Sequence, residues 1–425
     1  MDRVRVGIVG TGSIFYGWGG GSGHLHACRH VREAQVVALC DTDPARLRRA
    51  EAALKAAYEA QAAEAETAGD ADRAADLRSD ASELKTYESA TEMLRDAGID
   101  LADIISPPRT HAPLTIEALE AGANVLCEKP MTRTWLECPP VLEAVEASGR
   151  LCGCMENFLY ESPWYDAKKQ VDRGTVGEPL ALFLSFGLQE VLPVRWSAAA
   201  SGGGALTDMG IHALVTAWFI CGFGRELVSA KAAAPVGIAI RAPERLVGGT
   251  LERVEVEDDA HVLFELRHPA GGATTLVHVE ASWCGQDRPG HRLIGTTGEM
   301  QIGSPIRVTD AFGAMHEVPT AQPITGYAIA EGHEPAYSGF VGAVREMCRC
   351  VQEGRKPLYD AARAAEAMAA LGTAYLSELR GGTRVTLDEF KAFALDLHKQ
   401  QGDGAADAFI QQVCDHLARK AGTKE

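Results

Sequence analysis

The chain has 425 residues, enough for two or three domains with sizeable cores. Hydrophobic residues make up 46% and charged residues 23%, the balance of a globular protein. With 41 Lys and Arg against 58 Asp and Glu, the formal charge of −17 argues against a general nucleic-acid binder and against docking on anionic lipid.

The opening RVRVGIV, residues 3–9, reads as a buried strand, with no separate apolar signal region before it. It breaks into Gly10-Thr11-Gly12. A helical stretch follows, then a second strand, QVVALC, ending at Asp41. Residues 44–84, rich in Ala, Glu, Arg and Leu, favour helix, with a turn at Ala68–Asp72, so a helical hairpin is expected. Strands at 99–106, 124–127 and 151–155 alternate with helices at 113–121 and 139–148. That alternation predicts βαβ units and a parallel sheet.

After about residue 156 the pattern changes. Residues 179–189, 225–238, 258–268, 273–284 and 291–302 read as strands separated by turn signals such as HPAGG and TTGE, the pattern of an antiparallel sheet. One strong helix interrupts them at about 204–221. Helices return at 337–353 and 359–380, and two short ones close the chain. The expected architecture is α/β: residues 1–155 form a nucleotide-binding domain with a helical extension at about 50–84. Residues 156–425 form an α+β domain on a large, open, mainly antiparallel sheet. No apolar run reaches the roughly 20 residues that span a bilayer.

The eleven cysteines are scattered. The close pairs, Cys152/Cys154 and Cys348/Cys350, lack the C-x-x-C spacing of a zinc ribbon or redox dithiol. Free thiols in a reducing cytoplasm are expected.

Three segments carry chemistry. A glycine pair at a strand end lets the backbone approach a pyrophosphate, and a following helix N-terminus favours its charge. Gly10 and Gly12, with Ser13 and Ile14 after them, are therefore candidate cofactor residues. Asp41 stands where a carboxylate binds the adenosine ribose and repels a 2′-phosphate, favouring NAD over NADP. The motif is irregular: Phe15 occupies the third small position, and the glycine-rich segment 15–23 reads as an insertion. The second segment is Glu128-Lys129-Pro130 at the end of strand NVLC, where open parallel sheets bind ligands. Proline holds the preceding residue extended, and a lysine there stabilises a developing alkoxide. The third is GGGALTDMGIH, which sets Asp208 and His212 at i and i+4 on one helix face. Such a pair can bind a sugar hydroxyl and take its proton. Alone, it also reads as an intrahelical pair that supports the helix, and as two ligands of a metal site whose third ligand is not evident.

Together, in this order and with the closing stretch GRKPLYDAARAAEAMAALGTAYLSELRGGTRVTL, these motifs resemble the Gfo/Idh/MocA family of sugar and polyol dehydrogenases over about residues 3–390. The resemblance implies a Rossmann domain for NAD(P) and a C-terminal sheet whose open face often joins a dimer or tetramer; no metal is expected. It implies Lys129, Asp208 and His212 as the catalytic set, with His212 the general base. Ser106, Pro107, His111, Glu128, Lys129 and Asn157 would line the cofactor. Tyr160, Arg195, Trp196 and His291 are further candidates for substrate recognition, beside the ordinary packing such residues also serve. Val215 departs from the family, many of whose members carry a second Asp there.

The reading is an NAD-dependent oxidoreductase acting on a secondary hydroxyl of a sugar, glycoside or cyclitol. One alternative is a glycosidase or lyase that oxidises, eliminates and reduces with retained NAD. Another is a non-catalytic nucleotide-binding sensor.

Overall fold

A computed structural model describes residues 3–17, 23–188, 196–247, 249–271, 273–285, 290–320 and 339–422. The chain divides into two compact units, one of residues 1–131, 140–160 and 323–361, the other of 132–139, 161–322 and 362–425.

The first unit is built on six strands: β1 (Val4–Val9), β2 (Ala34–Cys40), β3 (Lys85–Tyr87), β4 (Leu101–Ile104), β5 (Asn124–Cys127) and β6 (Cys152–Cys154). All neighbours are parallel, in the order β3-β2-β1-β4-β5-β6. That is the doubly wound order, whose switch point lies between β1 and β4. Every residue of β4 and β5 is buried, as expected of strands covered on both faces, Asp103 and Asn124 being their polar members.

The helical hairpin forms as Pro44–Thr67 and Ala71–Glu83. Asp43 accepts hydrogen bonds from the Ala45 and Arg46 amides, and Pro44 stands in the first turn; both are start signals. Leu47, Ala50, Leu54, Tyr58 and Ala62 form its buried stripe. Arg3 donates to Asp80 on the second helix at 2.9 Å, tying the hairpin to the start of β1. Strand β3 and the helix Ala90–Asp96 lie outside the sequence expectation; a three-residue strand is too short to show a period. The helix Gly339–Glu353 belongs to this unit, although it follows the second unit's strands in sequence.

The second unit carries β7 (Pro179–Gly187), β8 (Glu226–Ala232), β9 (Ile238–Ala239), β10 (Glu244–Val247), β11 (Thr250–Arg253), β12 (Asp259–Arg267), β13 (Thr275–Ser282), β14 (Arg292–Gly295), β15 (Gly298–Gln301), β16 (Ile306–Asp310), β17 (Met315–Val318) and β18 (Val385–Thr386). Ten of these form one sheet, ordered β17-β16-β15-β14-β7-β13-β12-β8-β18 with β9 against β12, while β10 and β11 make a separate hairpin. The pairs are antiparallel except β7 with β13, which run parallel. The expected strand at 291–302 is two strands, β14 and β15, turned at Thr296-Thr297. Strands β10, β11, β16, β17 and β18 were not expected.

In the central strands burial alternates. Leu182, Leu184 and Phe186 of β7 and Val277, Val279 and Ala281 of β13 face the core, and their neighbours face the open side. The core face packs on the helix Ile211–Cys221, all of whose residues are buried. Its apolarity serves the core: of the most apolar 18-residue window within Ala198–Cys221, 94% is buried. Helices Ala361–Leu379, Leu387–Gln401 and Ala405–Lys420 complete the unit. Thr386 and Glu389 form a reciprocal capping box at the start of the second of these. No disulfide joins the eleven cysteines, all of which are among the described residues, and nine of them are buried.

Candidate functional site

In the first unit the chemistry gathers at the C-terminal ends of β1, β4 and β5. Gly10 has φ of +100°, and a Cβ on it would stand 2.9 Å from the Ile105 carbonyl carbon and the Ser106 amide. Only glycine lets the loops after β1 and β4 approach so closely. Among the described residues, a Cβ on Gly12 would meet nothing within 4 Å, so backbone lies open there to a pyrophosphate. Asp41, at the end of β2, accepts from the Thr11 amide and hydroxyl, each at 2.7 Å, and from the Asp43 amide at 2.9 Å. Its carboxylate is thus fixed against the glycine turn. Ser13 and Ile14 open a one-turn helix, Ser13–Tyr16. Phe15, in the third small position, is fully buried. It is a core residue and leaves no small side chain for a close helix–strand approach. Of the glycine-rich segment, residues 18–22 lie outside the described residues.

The Glu128-Lys129-Pro130 loop is held from several sides. Glu128 is buried; one carboxylate oxygen accepts from the Lys129 amide at 3.0 Å and the other lies 2.9 Å from His24 Nε2. Burial would raise its proton affinity, but His24, Lys129 and His111 outweigh that and hold it below the ordinary glutamate value. His24 Nδ1 lies 2.6 Å from Asp103 of β4. Burial alone would strip a proton from His24, yet Asp103 and Glu128 together push it up to about 10. His111 is also buried. Its Nδ1 lies 2.7 Å from the Pro130 carbonyl and its Nε2 2.6 Å from that of Ser106. The ring therefore ties the Ser106-Pro107 segment to the lysine loop. Asn157 starts the short turn Asn157–Tyr160 that follows β6.

In the second unit Asp208 lies in a π-helical turn, Leu206–Gly210, that runs into the helix carrying His212. The sequence predicts one regular helix here; the wider turn is the difference, and such turns recur at functional sites. Asp208 Oδ2 accepts from Trp283 Nε1 at 3.1 Å. The turn is anchored from below by Glu257. One oxygen of its carboxylate accepts from the Gly204 amide (2.8 Å), the Leu206 amide (3.1 Å) and the Tyr375 hydroxyl (2.6 Å). Since the single Tyr375 proton goes to Glu257, Thr207 donates to the Tyr375 oxygen, 2.8 Å away. Desolvation outweighs these donors and raises the Glu257 carboxyl to about 7. A Cβ on Gly204 would stand 1.8 Å from the Glu257 carbonyl oxygen, which accounts for glycine there. Among the described residues no third side chain joins Asp208 and His212 as a metal ligand would.

The remaining candidates are spread out. Tyr160 lies in the first unit, 4% exposed, with its hydroxyl 3.4 Å from Glu346 and its ring against Gly342. Its surroundings are those of a packed core residue. Trp196, also buried, lies under the Arg245 guanidinium, 5.9 Å from its ring centroid. His291 stacks on Phe186 and accepts from the Ser185 amide. Arg195 lies outside the described residues. Sequence reasoning missed His24, Asp103, Glu257, Tyr375 and Trp283. Their partners are 51 to 168 residues away, so no local spacing betrays them. Glu257 moreover sits in the acidic run 255–259, of which Glu257, Asp258 and Asp259 are all buried.

Comparison with known proteins agrees with this layout. Residues 4–156 match the model for an oxidoreductase family with an NAD-binding Rossmann fold, and residues 164–301 match a GFO/IDH/MocA C-terminal domain. Inositol 2-dehydrogenase 1 of Saccharopolyspora erythraea is 33% identical over 181 residues, covering 42% of this chain and 44% of that protein, less than half its length. D-apiose dehydrogenase of Paraburkholderia graminis is 25% identical over 387 residues, 90% of each chain. Among solved structures, an oxidoreductase domain protein from Kribbella flavida superposes with a TM-score of 0.71 at 19% identity, over 91% of this chain and 100% of that one.

Proposed function

This chain belongs to the Gfo/Idh/MocA family of oxidoreductases, with an NAD-binding Rossmann domain at residues 4–156, and on that premise we propose that it moves a hydride between NAD and a secondary hydroxyl of a sugar, glycoside or cyclitol. The observation that carries the reading is the switch point itself. The open backbone at Gly12, the carboxylate of Asp41 held at the glycine turn and the braced Lys129 loop all stand at the C-terminal edge of one parallel sheet. These residues fit NAD: Gly10 and Gly12 for the pyrophosphate, Asp41 for the ribose hydroxyls, and Ser106, Pro107, Glu128 and Asn157 along the loops beside them. Bound there, NAD supplies the hydride acceptor. The sugar and cyclitol dehydrogenases among the relatives support the substrate class.

The chain's own residues supply the proton chemistry. Lys129 holds the substrate hydroxyl and stabilises negative charge as it develops on the oxygen. His212 takes the proton as general base. Asp208, fixed by the Trp283 indole, orients the hydroxyl. Lys129→Ala and His212→Ala should each lower turnover by roughly a hundredfold or more while NAD binding, followed by NADH fluorescence, persists. Unchanged turnover in both variants would remove these roles.

Two coarser expectations complete the proposal. Eleven free cysteines suit a reducing cytoplasm. The open face of the ten-stranded sheet, with Leu276 46% exposed beside Phe183 and His278, suits pairing with a second copy.

A further inference from the structure

We propose that His24 is a positioning residue for the lysine loop: a buried imidazolium, clamped between Asp103 and Glu128, that keeps the Glu128 carboxylate on the backbone of Lys129. The inference rests on the reading of Lys129 as the group that meets substrate.

The geometry carries it. His24 opens the helix His24–His30 and is fully buried. Each ring nitrogen faces a carboxylate oxygen, Asp103 at 2.6 Å and Glu128 at 2.9 Å. Ionised carboxylates only accept hydrogen bonds, so both nitrogens donate only when the ring is protonated. A neutral ring would set one nitrogen lone pair against a carboxylate oxygen. The Phe340 ring, 5.4 Å away and edge-on, stands against the imidazole. Among the described residues, the ionisable groups beside Glu128 are His24, His111, Lys129, Cys127 and Cys154, with Asp103 across the His24 ring. The second oxygen of Glu128 accepts from the Lys129 amide. A line of contacts thus runs from Asp103 through His24 and Glu128 to the lysine backbone, and one buried cation stands between two buried anions. Without that cation Glu128 would sit near Asp103 with no imidazolium between them, and it would take up a proton. A protonated Glu128 grips the Lys129 amide less well, because charge-assisted hydrogen bonds are the stronger ones.

Three measurements on the full chain test this. Nitrogen-15 NMR of histidine-labelled wild-type protein at neutral pH should show one imidazolium that His24→Gln removes; a neutral His24 ring overturns the proposal. Hydrogen exchange of the Lys129 amide should quicken in His24→Gln and return towards wild type in His24→Gln/Asp103→Asn, which restores the charge balance of the cluster. Exchange that is unchanged in the single variant, or no slower in the double one, overturns it, because a purely steric defect would not be mended by removing a charge. Turnover of His24→Gln should fall roughly ten- to hundredfold, with activity lost at higher pH than in wild type as Glu128 gains its proton, and NADH fluorescence should report retained cofactor. Lys129→Ala, run alongside, separates the two claims. If it loses turnover while His24→Gln keeps both rate and pH profile, the role of Lys129 stands and that of His24 falls. If Lys129→Ala stays active, both fall.

Discussion

Glu257 shows how one buried carboxyl governs a local structure. Its proton affinity is raised to about 7 from an ordinary 4.5 because burial outweighs three donors. The folded state therefore prefers the protonated form, and the sign follows from linkage. The contribution to stability is full below the unfolded value near 4.5 and is lost as pH rises through about 7. The size of that change is on the order of 3 kcal/mol. Glu257→Gln, which mimics the protonated form, should flatten the fall in melting temperature between pH 5 and 8. A variant with the wild-type slope would show that another group is responsible.

At the scale of elements, the turn at Gly202–Gly204 is where sequence and packing meet. A methyl group at Gly204 would overlap the Glu257 carbonyl oxygen, 1.8 Å from the added carbon. Gly204→Ala should cost about 2 kcal/mol or more by overpacking, measurable as a lower urea midpoint with an unchanged slope. A wild-type midpoint would mean that the turn relaxes freely. The elements themselves were largely legible. The hairpin helices at 44–83 announce themselves through Asp43, Pro44 and an apolar stripe, and β5 through Val125-Leu126-Cys127 before Glu128. The chemistry-bearing segments at 10–12, 128–130 and 202–212 were legible because each is local. What stayed hidden is what distance assembles: the imidazole of His24 between acids 79 and 104 residues away, and the anchoring of the π-helical turn by Glu257. The short strands β3 and β18 were hidden for another reason, since two or three residues carry no period.

At the scale of the whole molecule, the open sheet face bears on assembly. Its registered pairs Phe183–His278 and Ala181–Leu276, with the Arg292 guanidinium 4.4 Å from the Phe183 ring centroid, form a patch of mixed apolar and cationic character. If this face pairs with a second copy, light scattering should give a dimer or a larger even assembly, and Phe183→Glu with Leu276→Glu should give a monomer. A monomeric wild type would leave the face to some other use. The acidic charge of −17 sets a condition on such pairing: added salt should favour it by screening repulsion between copies.

The most direct test of the central claim is turnover of the purified chain with NAD across a panel of cyclitols, aldoses and glycosides, read both as NADH absorbance and as product. NADH accumulating with one substrate class, and abolished in Lys129→Ala, is the expected result. Product formed without net NADH would move the chain to a closed oxidation, elimination and reduction cycle. Bound NAD with neither NADH nor product, across the whole panel, would contradict hydride transfer to these substrates.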